Sequence, residues 1–327
     1  MRFDIPLLTE QIRAGDRRAL ARAITLVESG RDDHRSLALD LLDQLGTERQ
    51  ALRIGLSGTP GVGKSTFIET FGLMLTARGL RVAVLAVDPS SARSGGSILG
   101  DKTRMEHLSR DPAAFIRPSP SQTQLGGVAR RTRDAVRLCE AAGFDVVLIE
   151  TVGVGQSETV VAQMADLFVL LLAPAGGDEL QGVKRGIMEM ADMILVNKAD
   201  GELKPQAMRT CADYAGALRL LRKRPQDMED YPLAMTVSAL DSTGLQAAWD
   251  RMETLAHWRQ ETGIFASTRA DQARHWFTED LRAEVMALLT RDPDLRARMT
   301  TLEDAVARGE MTPAVAARAA LAPLRGA

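Results

Sequence analysis

The sequence predicts an α/β protein: a mostly parallel central sheet flanked by helices, with helical extensions at both ends. Three observations predict it. Short runs rich in Val, Ile and Leu, without strict polar alternation, recur between residues 52 and 239, as in strands covered on both faces. Longer amphipathic segments separate those runs, which makes βαβ units. Outside that region the apolar residues fall at helical spacing instead.

Residues 1–50 read as a helical extension. "LTEQIRAGDRRALARAITLVES" and "DHRSLALDLLDQL" carry Leu, Ile and Ala at helical spacing, broken by "GRDD". Residues 51–261 hold the α/β domain, with strands predicted at "LRIGLSG", "RVAVLAVD", "AAFIRPS", "DVVLIE", "LFVLLLA", "MILVNKAD" and "LAMTVSA". Residues 262–327 are helical again. There "DQARHWFTEDLRAEVMALLTRD" sets Trp276, Phe277, Leu281, Val285, Leu288 and Leu289 on one face. Thr312 and Pro313 then suit the N-cap and first turn of a last helix.

Composition narrows the classes. The chain has 327 residues, 45% of them hydrophobic, and a formal net charge of −2. That charge leaves no electrostatic footprint for nucleic acid or an anionic membrane. The longest greasy run, "LFVLLLA", is far short of the ~20 residues that span a bilayer, and no signal peptide is visible. Two cysteines, Cys139 and Cys211, sit in helical patterns without metal-type spacing. The expectation is a soluble protein of the reducing cytoplasm.

"GTPGVGKST", residues 58–66, matches G-x-x-x-x-G-K-[ST] between a predicted strand and a predicted helix. Gly58, Gly61 and Gly63 let the backbone turn its N–H groups toward phosphates, and the helix N-terminus adds its dipole. In this P-loop Lys64 would reach the β- and γ-phosphates, Ser65 would ligate Mg²⁺, and Thr66 would contact the α-phosphate.

The base is read further along. Past the "MILV" run stand Asn197, Lys198 and Asp200. Asp200 can accept from the guanine N1–H and 2-amino group, neither of which adenine offers. Asn197 can meet the other edge of the base, and the Lys198 stem can lie over the ring. "VSALDSTGL" follows, where Ser238 and Ala239 can offer backbone N–H groups to guanine O6. Three motifs in this order point to GTP over ATP, and the fold class becomes that of a P-loop GTPase.

Between these motifs lie candidate metal and switch residues. Asp88 ends the second predicted strand and can bind Mg²⁺ or orient water; as a plain turn former before Pro89 it would do neither. "SARSGGSILGDKTRM" carries Asp101, Lys102 and Arg104 in a Gly- and Ser-rich context suited to a switch ordered by γ-phosphate and Mg²⁺. Glu150 would hold the metal through water, and the Gly153 N–H would contact the γ-phosphate. Asp178, Glu179, Lys184 and Arg185 occupy a further loop, and Arg130, Arg131 and Arg133 suit an exposed basic helix face. Val154 stands where many such proteins place a water-positioning Gln.

"SGTPGVGKST", "LAVDPSS", "GGSILGDKTRM", "QLGGVARRTRDAV", "FDVVLIETVGVGQSE", "GDELQGVKRGIMEMADMILVNKAD" and "VSAL" together resemble the methylmalonyl-CoA mutase-associated GTPases, along the whole chain. The resemblance implies the metallochaperone branch of P-loop GTPases and a homodimer built by the C-terminal helices. It also implies a GTP-hydrolysing chaperone of methylmalonyl-CoA mutase, gating adenosylcobalamin loading and protecting that enzyme. On matching positions it implies a phosphate site of Gly58, Thr59, Pro60, Gly61, Val62, Gly63, Lys64, Ser65 and Thr66. The base site is Asn197, Lys198, Asp200, Ser238, Ala239 and Leu240, with Asp88, Asp101, Glu150 and Gly153 completing the Mg²⁺ and catalytic set. Segments around Asp101, Glu150 to Gly153, and Asp178 to Ile187 resemble three switches.

Three other functions compete. A nickel-insertion GTPase usually carries a His-rich tract, whereas His34, His107, His257 and His275 are scattered. A kinase linked to basic amino-acid transport, a label this family once carried, needs a substrate pocket that no motif announces. A membrane-cycling ATPase of the MinD kind has a second P-loop lysine, absent between Gly58 and Lys64.

Overall fold

Each of the seven apolar runs forms a strand. The structure is a computed structural model describing residues 3–87, 105–118, 125–151, 157–174 and 185–325. The strands are β1 (Leu52–Ser57), β2 (Val82–Val87), β3 (Ala114–Arg117), β4 (Val146–Thr151), β5 (Leu167–Leu172), β6 (Met193–Val196) and β7 (Leu233–Thr236). They make one sheet in the order β3-β2-β4-β1-β5-β6-β7. All six pairings are parallel. The fold is therefore the α/β architecture that continuous apolar runs predict, and β4 and β5 are buried along their whole length.

Because the chain leaves β1 toward β2 and later returns to β5 on its other side, order reverses at β1. In open parallel sheets, ligands lie beyond the carboxyl ends of the strands at such a point.

The N-terminal extension is three helices rather than two: α1 (Ile5–Arg13), α2 (Arg17–Glu28) and α3 (Asp32–Leu45). The break lies at Gly15, whose φ is +79°. Asp16 then caps α2, its carboxylate accepting from the N–H of Arg18 at 2.7 Å and of Ala19 at 2.8 Å. Within the domain run α4 (Lys64–Ala77), α5 (Glu106–Arg110), α6 (Leu125–Ala141), α7 (Ser157–Ala162), α8 (Arg185–Met190), α9 (Lys204–Arg219) and α10 (Leu245–Glu261). On one face of the sheet Ile54, Leu56, Phe67, Phe71, Leu148, Val169, Leu195, Trp249 and Met252 form the core. Each such side chain contributes about 1.5–3 kcal/mol on burial. Phe67 stacks on Phe71, which meets Trp249 edge-on.

At the amino ends of the strands, opposite the motifs, buried charges are paired. Glu140, wholly buried, accepts from Arg53 through both oxygens at 2.9 Å. Asp166 takes the Arg269 guanidinium at 2.6 and 2.8 Å, while Asp192 takes Arg259 at 2.6 Å and Arg224 at 2.8 Å. These pairs bind the strand starts to the helices that close the domain.

The chain divides into two units, residues 1–269 and 270–327. The second contains most of α11 (Ile264–Arg291), then α12 (Pro293–Ala307) and α13 (Pro313–Ala320). Asp292 caps α12 through the N–H groups of Asp294 and Leu295 at 2.9 and 3.1 Å. Thr312 and Pro313 do begin α13, although the Thr312 hydroxyl makes no capping bond. On α11 Trp276 and Leu289 are buried, whereas Phe277, Leu281, Val285 and Leu288 are exposed. Among the described residues no helix is long and apolar enough to cross a membrane.

Candidate functional site

β1 ends at Ser57, and the chain turns through residues 58–63 before α4 starts at Lys64. The turn is pressed against the neighbouring strand ends. A Cβ on Gly58 would stand 2.4 Å from the Leu171 carbonyl oxygen, so no side chain fits. Gly63, at φ +90°, would bring a Cβ within 2.8 Å of Asn197 Nδ2. Gly61, at φ +86°, meets nothing within 4 Å, and its need for glycine is conformational alone. Thr59, Pro60 and Gly61 are exposed, and Val62 is buried beneath them. The Lys64 ammonium reaches back over the turn, donating to the Gly58 carbonyl at 2.6 Å and the Thr59 carbonyl at 3.4 Å. Ser65 and Thr66 follow in the first turn of α4.

The base motif reaches this turn directly. Asn197, 1% exposed, follows β6 and has both ends of its side-chain amide engaged inside the protein. Its Nδ2 donates to the Val62 carbonyl at 2.9 Å, and its Oδ1 accepts from the Ala239 N–H at 3.0 Å. Lys198 adopts a left-handed backbone, φ +59°, and its Nζ donates to the Gly61 carbonyl at 2.7 Å. Asp200 accepts through Oδ2 from the Ser238 hydroxyl, which also accepts from the Asp241 N–H at 3.0 Å. Leu240 is 77% exposed beside them. The structure thus brings Gly58 to Thr66, Asn197 to Asp200 and Ser238 to Leu240 together at the carboxyl edge of the sheet.

Glu150 sits near the end of β4, 4% exposed, in register with Leu56 on one side and Ala86 on the other. Next to it the Thr151 hydroxyl donates to the Ser57 hydroxyl at 3.1 Å, joining the ends of β4 and β1. Asp88, Asp101, Lys102, Arg104, Gly153, Val154, Asp178, Glu179 and Lys184 lie outside the described residues. For magnesium, the described donors are the Ser65 hydroxyl and the buried Glu150 carboxylate, both hard oxygen groups of the kind that ion takes.

Residues 20–294 match the family model described as methylmalonyl Co-A mutase-associated GTPase MeaB. The chain belongs to the MeaB family of GTPases. Its relatives cover most of its length. It is 49% identical to the mouse protein named methylmalonic aciduria type A homolog, mitochondrial, over 93% of this chain and 75% of that one. With GTPase ArgK of Escherichia coli it shares 46% identity, over 87% of this chain and 86% of the other. The crystal structure of a LAO/AO transport system kinase superposes with a TM-score of 0.76 at 35% identity, covering 99% of this chain and 100% of that one.

Two residues of this MeaB-family site are not visible as motifs. Thr70, on the second turn of α4, donates to the Ala239 carbonyl at 2.9 Å and so fixes the base loop from the phosphate helix. Glu69 beside it accepts from two N–H groups of α5. Neither lies in a recognisable spacing; a Thr or Glu in a helix interior gives no signal of its partner. Among the basic residues of α6, Arg131 has its basicity lowered by desolvation, while the nearby Glu28 carboxylate opposes that loss. The Cys139 thiol, buried in α6, is pushed far up by burial and is unsuited to act as a nucleophile.

Proposed function

We propose that this protein is a GTP-binding and GTP-hydrolysing chaperone of an adenosylcobalamin-dependent acyl-CoA mutase, methylmalonyl-CoA mutase in the first instance. On this reading it gates cofactor loading and protects the mutase from inactivation. The observation that carries it is the single site in which Asn197 and Lys198 bond directly to the turn between Gly58 and Gly63. That union makes occupancy by base and phosphates one event. Family membership supports the mutase as partner, as does the mouse relative's name.

The chain's residues divide the work. Asp200, oriented by Ser238, takes the guanine N–H edge. For O6 the backbone donor is the Leu240 N–H, because the Ser238 N–H donates to the Thr243 carbonyl at 2.9 Å and the Ala239 N–H to Asn197 Oδ1 at 3.0 Å, against the sequence expectation for those two. Backbone N–H groups from Gly61 to Thr66 cradle the phosphates, with Lys64 moving from the Gly58 carbonyl to the phosphate oxygens. Ser65 and Glu150, with Asp88 and Asp101, would hold Mg²⁺, and Gly153 would bond the γ-phosphate. Magnesium held there would supply positive charge to neutralise the phosphate oxygens. Val154 has no group to orient water, so hydrolysis is slow in the isolated protein and rises when a partner rearranges the loops.

The protein acts as a cytoplasmic homodimer, residues 262–327 forming the dimerisation arm after the 1–50 extension and the 51–261 GTPase domain. The exposed Phe277, Leu281, Val285 and Leu288 support this, since a stripe of four large apolar side chains suits burial against a second copy. A kinase of basic amino-acid transport remains a second reading, favoured by the likeness to a solved LAO/AO transport system kinase. Mixing the full chain with purified methylmalonyl-CoA mutase, with GDP or a non-hydrolysable GTP analogue, separates the two. A complex whose affinity changes with the nucleotide is expected. Absence of any complex, together with transfer of the γ-phosphate to a protein or amino acid, would favour the kinase.

A further inference from the structure

We infer that Thr70 is a positioning residue for base recognition: its hydroxyl fixes the peptide group carrying the Leu240 N–H, and so aims that donor at the 6-oxo group of the base. The inference rests on the guanine-nucleotide reading above. Thr70 lies on the second turn of α4, and its Oγ1 donates to the Ala239 carbonyl at 2.9 Å. The same oxygen stands 3.1 Å from the Thr66 carbonyl, where it would only bond back onto its own helix. A threonine hydroxyl has one proton to give. The Thr66 carbonyl already has a donor in the helix ladder. Among the described residues no other donor reaches the Ala239 carbonyl. Ala239 is 3% exposed, so that carbonyl would be costly to leave unpaired, and the proton goes there.

The backbone around Leu240 leaves one donor for a ligand. The Ser238 N–H is taken by the Thr243 carbonyl at 2.9 Å, and the Ala239 N–H by Asn197 Oδ1 at 3.0 Å. The Asp241 N–H goes to Ser238 Oγ at 3.0 Å. The Leu240 N–H has no acceptor among the described residues, and Leu240 is exposed.

That N–H and the Ala239 carbonyl belong to one peptide group. The group is planar and trans, so the two bonds point in opposite directions. Holding the carbonyl therefore sets where the N–H points. Asn197 and Ser238 fix the peptide planes on either side, and Thr70 fixes the one between them. Without Thr70 that plane can swing about the line joining its two α-carbons, and the donor loses its aim. Two edges of the base are thus read by separate means: Asp200 takes N1–H and the 2-amino group, while the 6-oxo group depends on Thr70. The helix that starts at Lys64 and Ser65 also orients a donor for the base.

The test compares GDP with 6-thioguanosine diphosphate, which keeps N1–H and the 2-amino group but replaces O6 by sulfur, a weak acceptor. Titration calorimetry reads both affinities for the full chain as wild type, Thr70→Val, Thr70→Ala and Thr70→Ser. Phosphate and Asp200 contacts cancel in the ratio of the two affinities; the bulk of sulfur cancels when ratios are compared between variants. Wild type should prefer GDP about fivefold or more, the worth of one hydrogen bond. Thr70→Val keeps the shape and loses the proton, and should bring the preference within about twofold by weakening GDP alone. Thr70→Ala removes the same proton and should match it, so a folding failure in either variant leaves the other to decide. Thr70→Ser keeps the hydroxyl and should keep the wild-type preference. Equal weakening of both nucleotides in Thr70→Val or Thr70→Ala, as a merely structural role would give, would overturn the inference. So would a wild-type preference in those variants, its loss in Thr70→Ser, or wild type binding both nucleotides alike. If the wild-type chain binds no GDP, the nucleotide reading fails first and the inference with it.

Discussion

The Asn197 side chain joins the base motif to the phosphate turn: its Nδ2 donates to the Val62 carbonyl oxygen at 2.9 Å while its Oδ1 accepts from Ala239. One buried amide therefore ties three loops. Replacing it by Ala would leave a buried carbonyl and a buried N–H unpaired, each costing about 1–3 kcal/mol. Asn197→Ala should lower the melting temperature and weaken GDP and GTP binding at least about tenfold by titration. Unchanged affinity would mean that the loops are braced elsewhere.

Base identity is assigned to Asp200, held by the Ser238 hydroxyl. Asp200→Asn replaces an acceptor by a donor on the edge facing guanine N1–H, so preference should move from GTP to xanthosine triphosphate. Ser238→Ala should weaken GTP binding more mildly, leaving preference intact. Competition binding with both nucleotides reads each effect, and normal GTP affinity in Asp200→Asn would refute the assignment.

Two glycines of the phosphate turn differ in kind. Gly58→Ala meets the Leu171 carbonyl oxygen at 2.4 Å and should abolish nucleotide binding or fold the turn differently. Gly61→Ala meets no atom and carries only the left-handed backbone cost of about 1–2 kcal/mol. Equal nucleotide affinities in the two variants would contradict this distinction.

Far from the site, Glu140 is wholly buried against Arg53 and Arg269. Glu140→Ala removes one partner of a buried ionic cluster, which commonly costs about 3–5 kcal/mol. Chemical denaturation should show a loss of that order, while Glu140→Gln, retaining hydrogen-bond acceptance, should lose less. A loss below about 1 kcal/mol in Glu140→Ala would show that the cluster is dispensable.

Strand positions are legible because a sheet covered on both faces demands unbroken apolar runs, as in "DVVLIE" and "LFVLLLA". The phosphate and base motifs are legible because their chemistry fixes residue types at short spacing. The separation of α1 from α2 escapes a periodicity reading although Gly15 and Asp16 announce it; continuous helical spacing on both sides hides a one-residue left-handed turn. The Arg53–Glu140 and Arg269–Glu140 pairs join residues 87 and 129 positions apart, and no local pattern reports such partners. The motif around Asn197 announces a role at the base; its bracing bonds appear only once β6 and the phosphate turn are adjacent. On α11 periodicity places six apolar residues on one face, but it cannot divide them into the buried Trp276 and Leu289 and the exposed four.

A chain ending at Arg269 tests the dimer proposal. Cutting there, rather than at 262, preserves the Arg269 bonds to Asp166 and the Ala51 carbonyl. Sedimentation should show the full chain as a dimer and the shortened chain as a monomer; a shortened chain that stays dimeric places the interface elsewhere.

The central claim is that a guanine nucleotide at this site reports to a cobalamin mutase. Its most direct measurement is GTP turnover by the full chain, with magnesium, alone and with purified methylmalonyl-CoA mutase. Slow turnover alone and a rise of about tenfold or more with the mutase is predicted, as expected when a partner completes the arrangement around the phosphates. Identical rates with and without the mutase would contradict the claim.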